Sequence, residues 1–276
     1  MAYRRWLSTL ALEHAAQQIA FQGYGMSDVT KYRQSDKELL RTEDLLRVIP
    51  KRRRSVLDIG ARDGHFSRLL TTHFEEVTAL DLGRPAFDIE GVHNVAGDVT
   101  KLSFADNSFD CVFCAEVLEH VPNLLAACSE IQRVAKYDIV IGVPYKQDTR
   151  VGRATCSKCW MINPPWGHLH SFDQERLVKL FPQATPASTS FVAVNKEATN
   201  WLSSALMDLG GNPWGAYAQD QRCLHCGATL VRPTDRLFWQ RACSALAVRL
   251  NKLQGYFERP KSEWIHVVFE KQPFER

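Results

Sequence analysis

The sequence predicts an α/β fold built on a doubly wound, mostly parallel sheet of seven strands. Three observations predict it. Short apolar strands alternate with helical patterns from Ser55 onward, glycines bound the first strand-to-helix turn, and an acidic residue ends the next strand. Such alternation is typical of parallel sheets with helices on both faces. The 276 residues, 45% hydrophobic and 24% charged, exclude a disordered chain or a coiled-coil rod.

Local patterns predict each element in turn. Leucines at helical spacing predict a helix that ends before Pro50. The predicted strands are 55–59, 77–81, 92–96, 109–115, 137–143, 188–194 and 264–269. Further helices are predicted over 66–74, 124–134 and 171–181, the last opened by a capping box that starts at Ser171.

Charge and hydropathy limit the partners of the chain. Lys and Arg number 34 against 31 Asp and Glu, and a net charge of +3 argues against a nucleic-acid partner. No apolar run reaches the roughly 18 residues that span a bilayer, so no membrane partner is expected. Glu13 and His14 interrupt the apolar stretch near the N-terminus, which predicts an amphipathic helix and a cytoplasmic location.

The alternation also predicts the domain organisation. Residues 1–50 form an N-terminal helical segment, and the core comprises 51–145 with 171–195 and 262–276. Residues 146–170 and 196–261 do not fit the alternation, and we interpret them as insertions.

A nucleotide-type site is predicted at the carboxyl ends of the first three strands. Gly60 and Gly64 bound a turn at which glycine lets the backbone approach a nucleotide closely. Asp81 ends the next strand, at about the position from which a carboxylate accepts hydrogen bonds from ribose hydroxyls. Asp98 and Val99 follow the third strand at the same edge, where an adenine would lie.

The stretch from Ser55 to Tyr145 resembles the class I S-adenosylmethionine-dependent methyltransferases of the small-molecule type. The motifs that carry the resemblance are Val56-Leu57-Asp58-Ile59-Gly60 with Gly64, Asp81, Gly97-Asp98-Val99, and the run from Ser108 to Val121. The resemblance implies a Rossmann-like methyltransferase fold and S-adenosylmethionine as the cofactor.

The resemblance also implies roles for single residues. Gly60 and Gly64 would line the methionine and ribose of the cofactor, and Asp81 would hold both ribose hydroxyls. Asp98 and Val99 would frame the adenine, and Asp58 would orient the turn and the cofactor's amino group. The chain departs from the family at Arg62, where glycine is common.

An acidic segment follows the fourth strand and contains Glu116, Glu119 and His120. In the resembled family this segment helps to form the active-site floor, so Glu116 and His120 are candidate catalytic residues. Ubiquinone-type O-methyltransferases and small-RNA 2′-O-methyltransferases use a similar arrangement to hold a divalent metal. A hydrogen-bonded helix start is the structural alternative.

Two histidines, His168 and His170, lie between the first cysteine pair and a predicted helix. Histidine is the commonest general base for a hydroxyl proton, so both are candidate catalytic residues. Either could instead cap the helix or pack within the insertion.

Two CxxC pairs predict a metal site. Cys156 and Cys159 lie in one insertion, and Cys223 and Cys226 lie in the other. Two such pairs complete a four-thiolate structural zinc site, which would staple both insertions into a cap. Ordinary thiols and a redox dithiol are the alternatives, whereas Cys111 and Cys114 lie in a predicted strand and are interpreted as core residues.

The sequence therefore predicts a methyltransferase that transfers a methyl group to a hydroxyl of a small-molecule or glycan acceptor. A metal-assisted RNA 2′-O-methyltransferase is the alternative enzyme. A catalytically silent, methyltransferase-like binding scaffold is a third hypothesis, which Arg62 keeps open.

Overall fold

The computed structural model describes residues 32–197, 199–217, 219 and 222–271. The predicted amphipathic helix near the N-terminus lies outside them. The described chain divides into two units. Residues 32–147, 170–194 and 262–271 form the core unit, and residues 148–169 with 195–261 form the cysteine unit. Among the described residues, no helix is both long and apolar enough to cross a bilayer.

The core unit is built on a seven-stranded sheet with the spatial order β3-β2-β1-β4-β5-β9-β8. In chain order, the strands are β1 (Ser55–Ile59), β2 (Glu76–Asp81), β3 (Val92–Ala96), β4 (Phe109–Ala115), β5 (Ala135–Pro144), β6 (Ala154–Thr155), β7 (Ile162–Asn163), β8 (Ala184–Asn195) and β9 (Lys261–Lys271). The first five strands pair in parallel, and β9 runs antiparallel to β5. The predicted doubly wound, mostly parallel sheet is confirmed.

The described helices are α1 (Asp36–Val48), α2 (His65–Leu70), α3 (Leu124–Val134), α4 (Gln174–Leu180), α5 (Trp201–Leu209) and α6 (Phe238–Gly255). Four helices of the core unit, α1 to α4, occur near the predicted positions, and the cysteine unit contains two helices that the sequence did not predict, α5 and α6. Short 3-10 helices cover Leu118–His120 and Pro165–Gly167. α1 belongs to the core unit, where Asp44 accepts a hydrogen bond from Nδ1 of His266 on β9 at 2.6 Å.

The prediction for the start of α4 is wrong. Its N-cap is Asp173, which accepts a hydrogen bond from the Arg176 backbone N–H at 2.8 Å, and Ser171 does not cap it. The reason is tertiary, because Phe172 forms a β-bridge with Tyr145 and its carbonyl accepts the Lys146 N–H at 2.7 Å. Residues in such a bridge are extended and cannot begin a helix.

Two apolar clusters fill the core unit, one on each face of the sheet. Neighbouring residues on β1 belong to different clusters, Val56 to one and Leu57 to the other. Cys111 and Cys114 on β4 divide in the same way, and both are buried. Alternating side chains of a strand point to opposite faces, so the two cysteines are core residues as predicted.

The cysteine unit contains the β6–β7 hairpin and the helices α5 and α6. Asn200, before α5, donates to Gln254 near the end of α6 at 2.7 Å, so the two helices run antiparallel. Its buried apolar cluster is small and is formed by Ala154, Cys156, Cys223 and Leu230. This cluster buries little apolar surface, and two of its four members are cysteines.

Candidate cofactor site and cysteine cluster

The parallel register brings the predicted cofactor residues to one edge of the sheet. Ile59 pairs with Leu80 on β2 and with Cys114 on β4, and Asp81 pairs with Ala96 on β3. The residues that follow these strand ends therefore meet at the carboxyl edge. In open parallel sheets this edge is where ligands bind.

Two glycines shape the turn after β1. Gly60 and Gly64 have φ angles of +78° and +77°, in the left-handed region that favours glycine. A Cβ on Gly60 would lie 2.3 Å from Cγ2 of Val117, and one on Gly64 would lie 2.7 Å from the Phe87 ring. Both positions therefore require glycine for conformation and for space.

Asp81 presents a buried carboxylate at the same edge. Its Oδ2 accepts the Arg62 backbone N–H at 2.9 Å, and its Oδ1 accepts the Leu82 N–H at 2.6 Å. Burial raises the pKa of Asp81 to about 6, and the two backbone N–H groups oppose that rise. A carboxylate offers about four acceptor positions, so this one retains capacity for two ribose hydroxyls. The residues present thus fit the ribose of a nucleoside.

Asp58 lies behind the turn and is only 2% exposed. Its Oδ2 accepts the hydroxyl proton of Ser67 on α2 at 2.6 Å. Burial raises the pKa of Asp58 to about 7. The hydrogen bond links β1 to α2, which suits a residue that orients the turn between them.

Asp98 and Val99 follow β3. Oδ1 of Asp98 accepts hydrogen bonds from both the backbone N–H and the hydroxyl of Thr100 at 2.8 Å. Val99 is buried beside Leu80 and Leu102 in one of the core clusters. Asp98 therefore closes a turn at the carboxyl edge, and Val99 anchors that turn in the core.

Glu116 and Glu119 follow β4 in different environments. Oε1 of Glu116 lies 3.8 Å from Nη1 of Arg41 on α1. Glu119 is fully buried, and neither of its carboxyl oxygens has a hydrogen-bond partner among the described residues. Burial, and then the charge of Glu116, raises the pKa of Glu119 well above its usual value. Burial therefore favours the neutral form of the Glu119 carboxyl over its ionised form.

His120 and His170 lie near this acidic segment. The His120 backbone N–H donates to the Val117 carbonyl at 2.9 Å and closes the 3-10 helix. Nε2 of His170 lies 2.8 Å from the Val121 carbonyl, so Nε2 carries the proton of the neutral ring. Burial lowers the pKa of His170, which keeps the ring neutral and Nδ1 unprotonated at pH 7. His168 is buried in the cysteine unit.

Arg41 is the site residue that sequence reasoning missed. It is only 2% exposed, and its guanidinium pairs with Glu38 at 2.7 Å as well as with Glu116. The guanidinium carbon lies 5.5 Å from the ring centre of Phe66 and 5.7 Å from that of Trp264. The spacing of Glu38, Arg41 and Leu45 places all three on one helix face, which was a readable signal.

The four cysteines of the two CxxC pairs lie together in the cysteine unit. All four sulfurs lie within 4.8 Å of one another, with Cys156 and Cys226 at 3.6 Å and Cys159 and Cys223 at 3.5 Å. A disulfide would require about 2.05 Å. A tetrahedral zinc ion with Zn–S bonds of about 2.3 Å separates its sulfurs by about 3.8 Å. The donor set and its spacing fit one zinc ion.

Hydrogen bonds close the turn of each cysteine pair and favour the ionised form of Cys223. The Trp160 N–H donates to the Cys156 carbonyl at 2.9 Å, and the Gly227 N–H donates to the Cys223 carbonyl at 2.8 Å, so each pair closes a tight turn. Burial opposes ionisation of Cys223, but the backbone N–H groups of the following residues outweigh it and lower the pKa of its thiol to about 6. A thiolate is the form that binds metal.

Comparisons with known proteins identify similar sequences and similar folds. Residues 57–139 match the methyltransferase domain family. YcgJ of Bacillus subtilis, described as an uncharacterized methyltransferase, is 31% identical over 93 residues, which are 30% of this chain and 37% of that protein. Its crystal structure has a TM-score of 0.52 at 14% identity and covers 84% of this chain and 97% of that one.

Two further proteins are similar. The ubiquinone biosynthesis O-methyltransferase of Hahella chejuensis is 26% identical over 164 residues, which are 56% of this chain and 63% of that protein. The 1,6-didemethyltoxoflavin-N1-methyltransferase of Burkholderia thailandensis, solved with its substrate and S-adenosylhomocysteine, has a TM-score of 0.51 at 16% identity. That match covers 95% of this chain and 90% of that one. The chain thus spans between about a third and two thirds of the curated relatives named here, and the solved structures share its fold.

Proposed function

We propose that this chain is a class I S-adenosylmethionine-dependent methyltransferase that transfers the methyl group of S-adenosylmethionine to a hydroxyl of a small molecule or a sugar. The observation that carries the proposal is the buried carboxylate of Asp81, held by two backbone N–H groups beside the glycine turn. The Hahella chejuensis relative is named an O-methyltransferase of ubiquinone biosynthesis, which supports a small-molecule acceptor.

Residues at the carboxyl edge would bind the cofactor. Asp81 would accept hydrogen bonds from the ribose hydroxyls, Gly60 and Gly64 would line the cofactor at the turn, and Asp58 would hold that turn in place. The turn closed by Asp98, with Val99 behind it, borders the adenine. When bound, S-adenosylmethionine supplies an electrophilic methyl group on a positively charged sulfur.

His170 is the favoured general base of the proposal. A hydroxyl acceptor arrives protonated, and Nδ1 of a neutral His170 can take that proton because Nε2–H is already directed at the Val121 carbonyl. His168 is the second candidate for this role, and Glu116 and His120 remain candidate residues for positioning the acceptor. Positioning supplies much of the rate in such a displacement.

We further propose that Cys156, Cys159, Cys223 and Cys226 bind one structural zinc ion. Four thiolates complete a tetrahedral shell and leave no open position for substrate, so the ion would stabilise the cysteine unit and would not take part in catalysis. The ion would join residues 146–170 to residues 196–261, whose shared apolar cluster is small.

Binding of S-adenosylhomocysteine by isothermal titration calorimetry tests the cofactor site. We expect Asp81→Asn to weaken binding about 10-fold to 100-fold, the usual effect of losing hydrogen bonds to a charged group. Asp88→Asn is the matched control, because Asp88 is exposed in the same unit. Transfer of a radiolabelled methyl group to catechol and monosaccharide acceptors then tests activity. A folded, zinc-loaded protein that binds no S-adenosylhomocysteine would contradict the proposal and favour a binding scaffold.

A further inference from the structure

Helices α5 and α6 and the residues just after α6 expose large apolar side chains. We define the α5–α6 apolar face by six of them: Trp201, Leu202, Trp239, Leu246, Leu253 and Phe257. Trp201 is 74% exposed and Phe257 is 82% exposed. Trp239, Leu246 and Leu253 recur every seven residues, so they follow one side of α6.

The packing of α5 against α6 explains why the large apolar side chains are exposed to solvent. The residues buried from α5 are Ser203 and Ser204, and those buried from α6 are Ser244 and Ala247. A Cβ on Gly210, after α5, would lie 2.8 Å from Cβ of Ser244, so the helices approach closely. Small residues therefore form the contact between the helices and the large apolar residues face solvent, which reverses the usual pattern of a surface helix.

Helix α6 is strongly cationic. α6 carries exposed Arg241, Arg249 and Lys252 and no acidic residue. Residues 231–261 contain seven basic and two acidic side chains, whereas the whole chain has a net charge of only +3. The positive charge is thus concentrated beside the apolar face.

We propose that α5 and α6 dock this protein peripherally on an anionic phospholipid bilayer. Helices that lie in a membrane interface combine Trp, Phe and Leu on one side with Lys and Arg that contact the headgroups. A second copy of the chain would bring two cationic helices together, and a nucleic acid would gain little from exposed leucines. The positive charges of α6 complement the negative headgroups of the bilayer, so the bilayer is the partner that this surface fits.

This docking surface goes beyond the proposed methyl transfer and does not depend on it. It also revises the expectation of no membrane partner, which rested on the absence of a long apolar run. Such a run identifies only helices that cross a bilayer. An interfacial helix needs only a face of apolar side chains, and α5 and α6 supply one although neither helix is both long and apolar enough to span.

Vesicle co-sedimentation of the full chain tests the proposal. We expect the protein to bind vesicles of phosphatidylcholine with one quarter phosphatidylglycerol and to bind vesicles of pure phosphatidylcholine at least 10-fold more weakly. Leu246→Ser, and separately the pair Arg249→Glu and Lys252→Glu, should each reduce the partition coefficient at least 5-fold. Leu125→Ser is the matched control, because Leu125 is 72% exposed on α3 of the core unit.

Circular dichroism and bound zinc should match the wild type in every variant, since the altered side chains are exposed. Equal binding to neutral and anionic vesicles, or an equal loss in the Leu125→Ser control, would overturn the proposal. Absence of vesicle binding together with a concentration-dependent dimer that Leu246→Ser disrupts would instead assign the face to a second copy of the chain.

Discussion

Substituting Gly60 by alanine probes the turn on which the cofactor site depends. The residue has a φ angle of +78°, and an alanine in the left-handed region costs about 1–2 kcal/mol. Its Cβ would also lie 2.3 Å from Cγ2 of Val117, and overpacking of this kind costs about 1–3 kcal/mol. We therefore expect Gly60→Ala to lower the free energy of unfolding by about 2–5 kcal/mol.

Two further variants separate the two contributions. Gly91 has a φ angle of +79° with no atom within 4 Å of its added Cβ, so Gly91→Ala should show the backbone cost alone, about 1–2 kcal/mol. Val117→Ala removes the clashing methyl group, so the double variant with Gly60→Ala should recover the overpacking energy. Its coupling energy should be about 1–3 kcal/mol.

Urea unfolding at 25 °C, followed by circular dichroism in the presence of zinc, measures these differences. The reasoning is refuted if Gly60→Ala destabilises the protein no more than Gly91→Ala, or if the effects of Gly60→Ala and Val117→Ala are simply additive. Binding of S-adenosylhomocysteine to the same variants shows whether the turn conformation and cofactor affinity change together.

The other predictions concern zinc, pH and a buried ion pair. Elemental analysis should find one zinc ion per chain, lost in Cys223→Ser and kept in Cys243→Ser, and equal zinc contents in the two variants would argue against the site. The pKa of Asp81 is raised to about 6 and ribose hydroxyls favour its ionised form, so calorimetry should show S-adenosylhomocysteine affinity falling as pH drops below 6 and little such dependence in Asp81→Asn. Arg41→Ala removes the buried partner of Glu38, which keeps only Arg33, and also removes the ion pair with Glu116, so it should cost about 3–5 kcal/mol in urea unfolding, against about 0.5 kcal/mol or less for the exposed Arg47→Ala. Similar costs for the two arginines would contradict the burial argument.

The central sheet could be predicted from the sequence because short strands rich in apolar residues alternate with helical patterns. The predicted limits of β1, β3 and β4 coincide with the observed strands. The glycine turn and Asp81 were predictable for a related reason, because a turn and a strand end are recognised from residues that are close together in the sequence. A network of charged side chains has no comparably clear sequence pattern, so Arg41 was missed although it lies at helical spacing from Leu45.

The start of α4 shows where local patterns fail. Ser171 and Asp173 are both acceptable N-caps by residue type, and only the bridge between Phe172 and Tyr145 selects Asp173. The sequence likewise did not predict that α5 and α6 bury serine and expose tryptophan, because burial depends on which face of a helix contacts a neighbour.

The sequence by itself determined the fold class and the strand order along the chain, and it predicted the residues that we propose to hold a nucleoside, because these follow from periodicity and from residues next to each other in the chain. Only the tertiary structure decided that four sulfurs from residues 156 to 226 meet within 4.8 Å and that the apolar side of α6 faces solvent. It also decided that Glu116 pairs with Arg41, whereas the carboxyl oxygens of Glu119 have no hydrogen-bond partner among the described residues. These features depend on contacts between residues distant in the chain, and such contacts are selected by the packing of the whole fold.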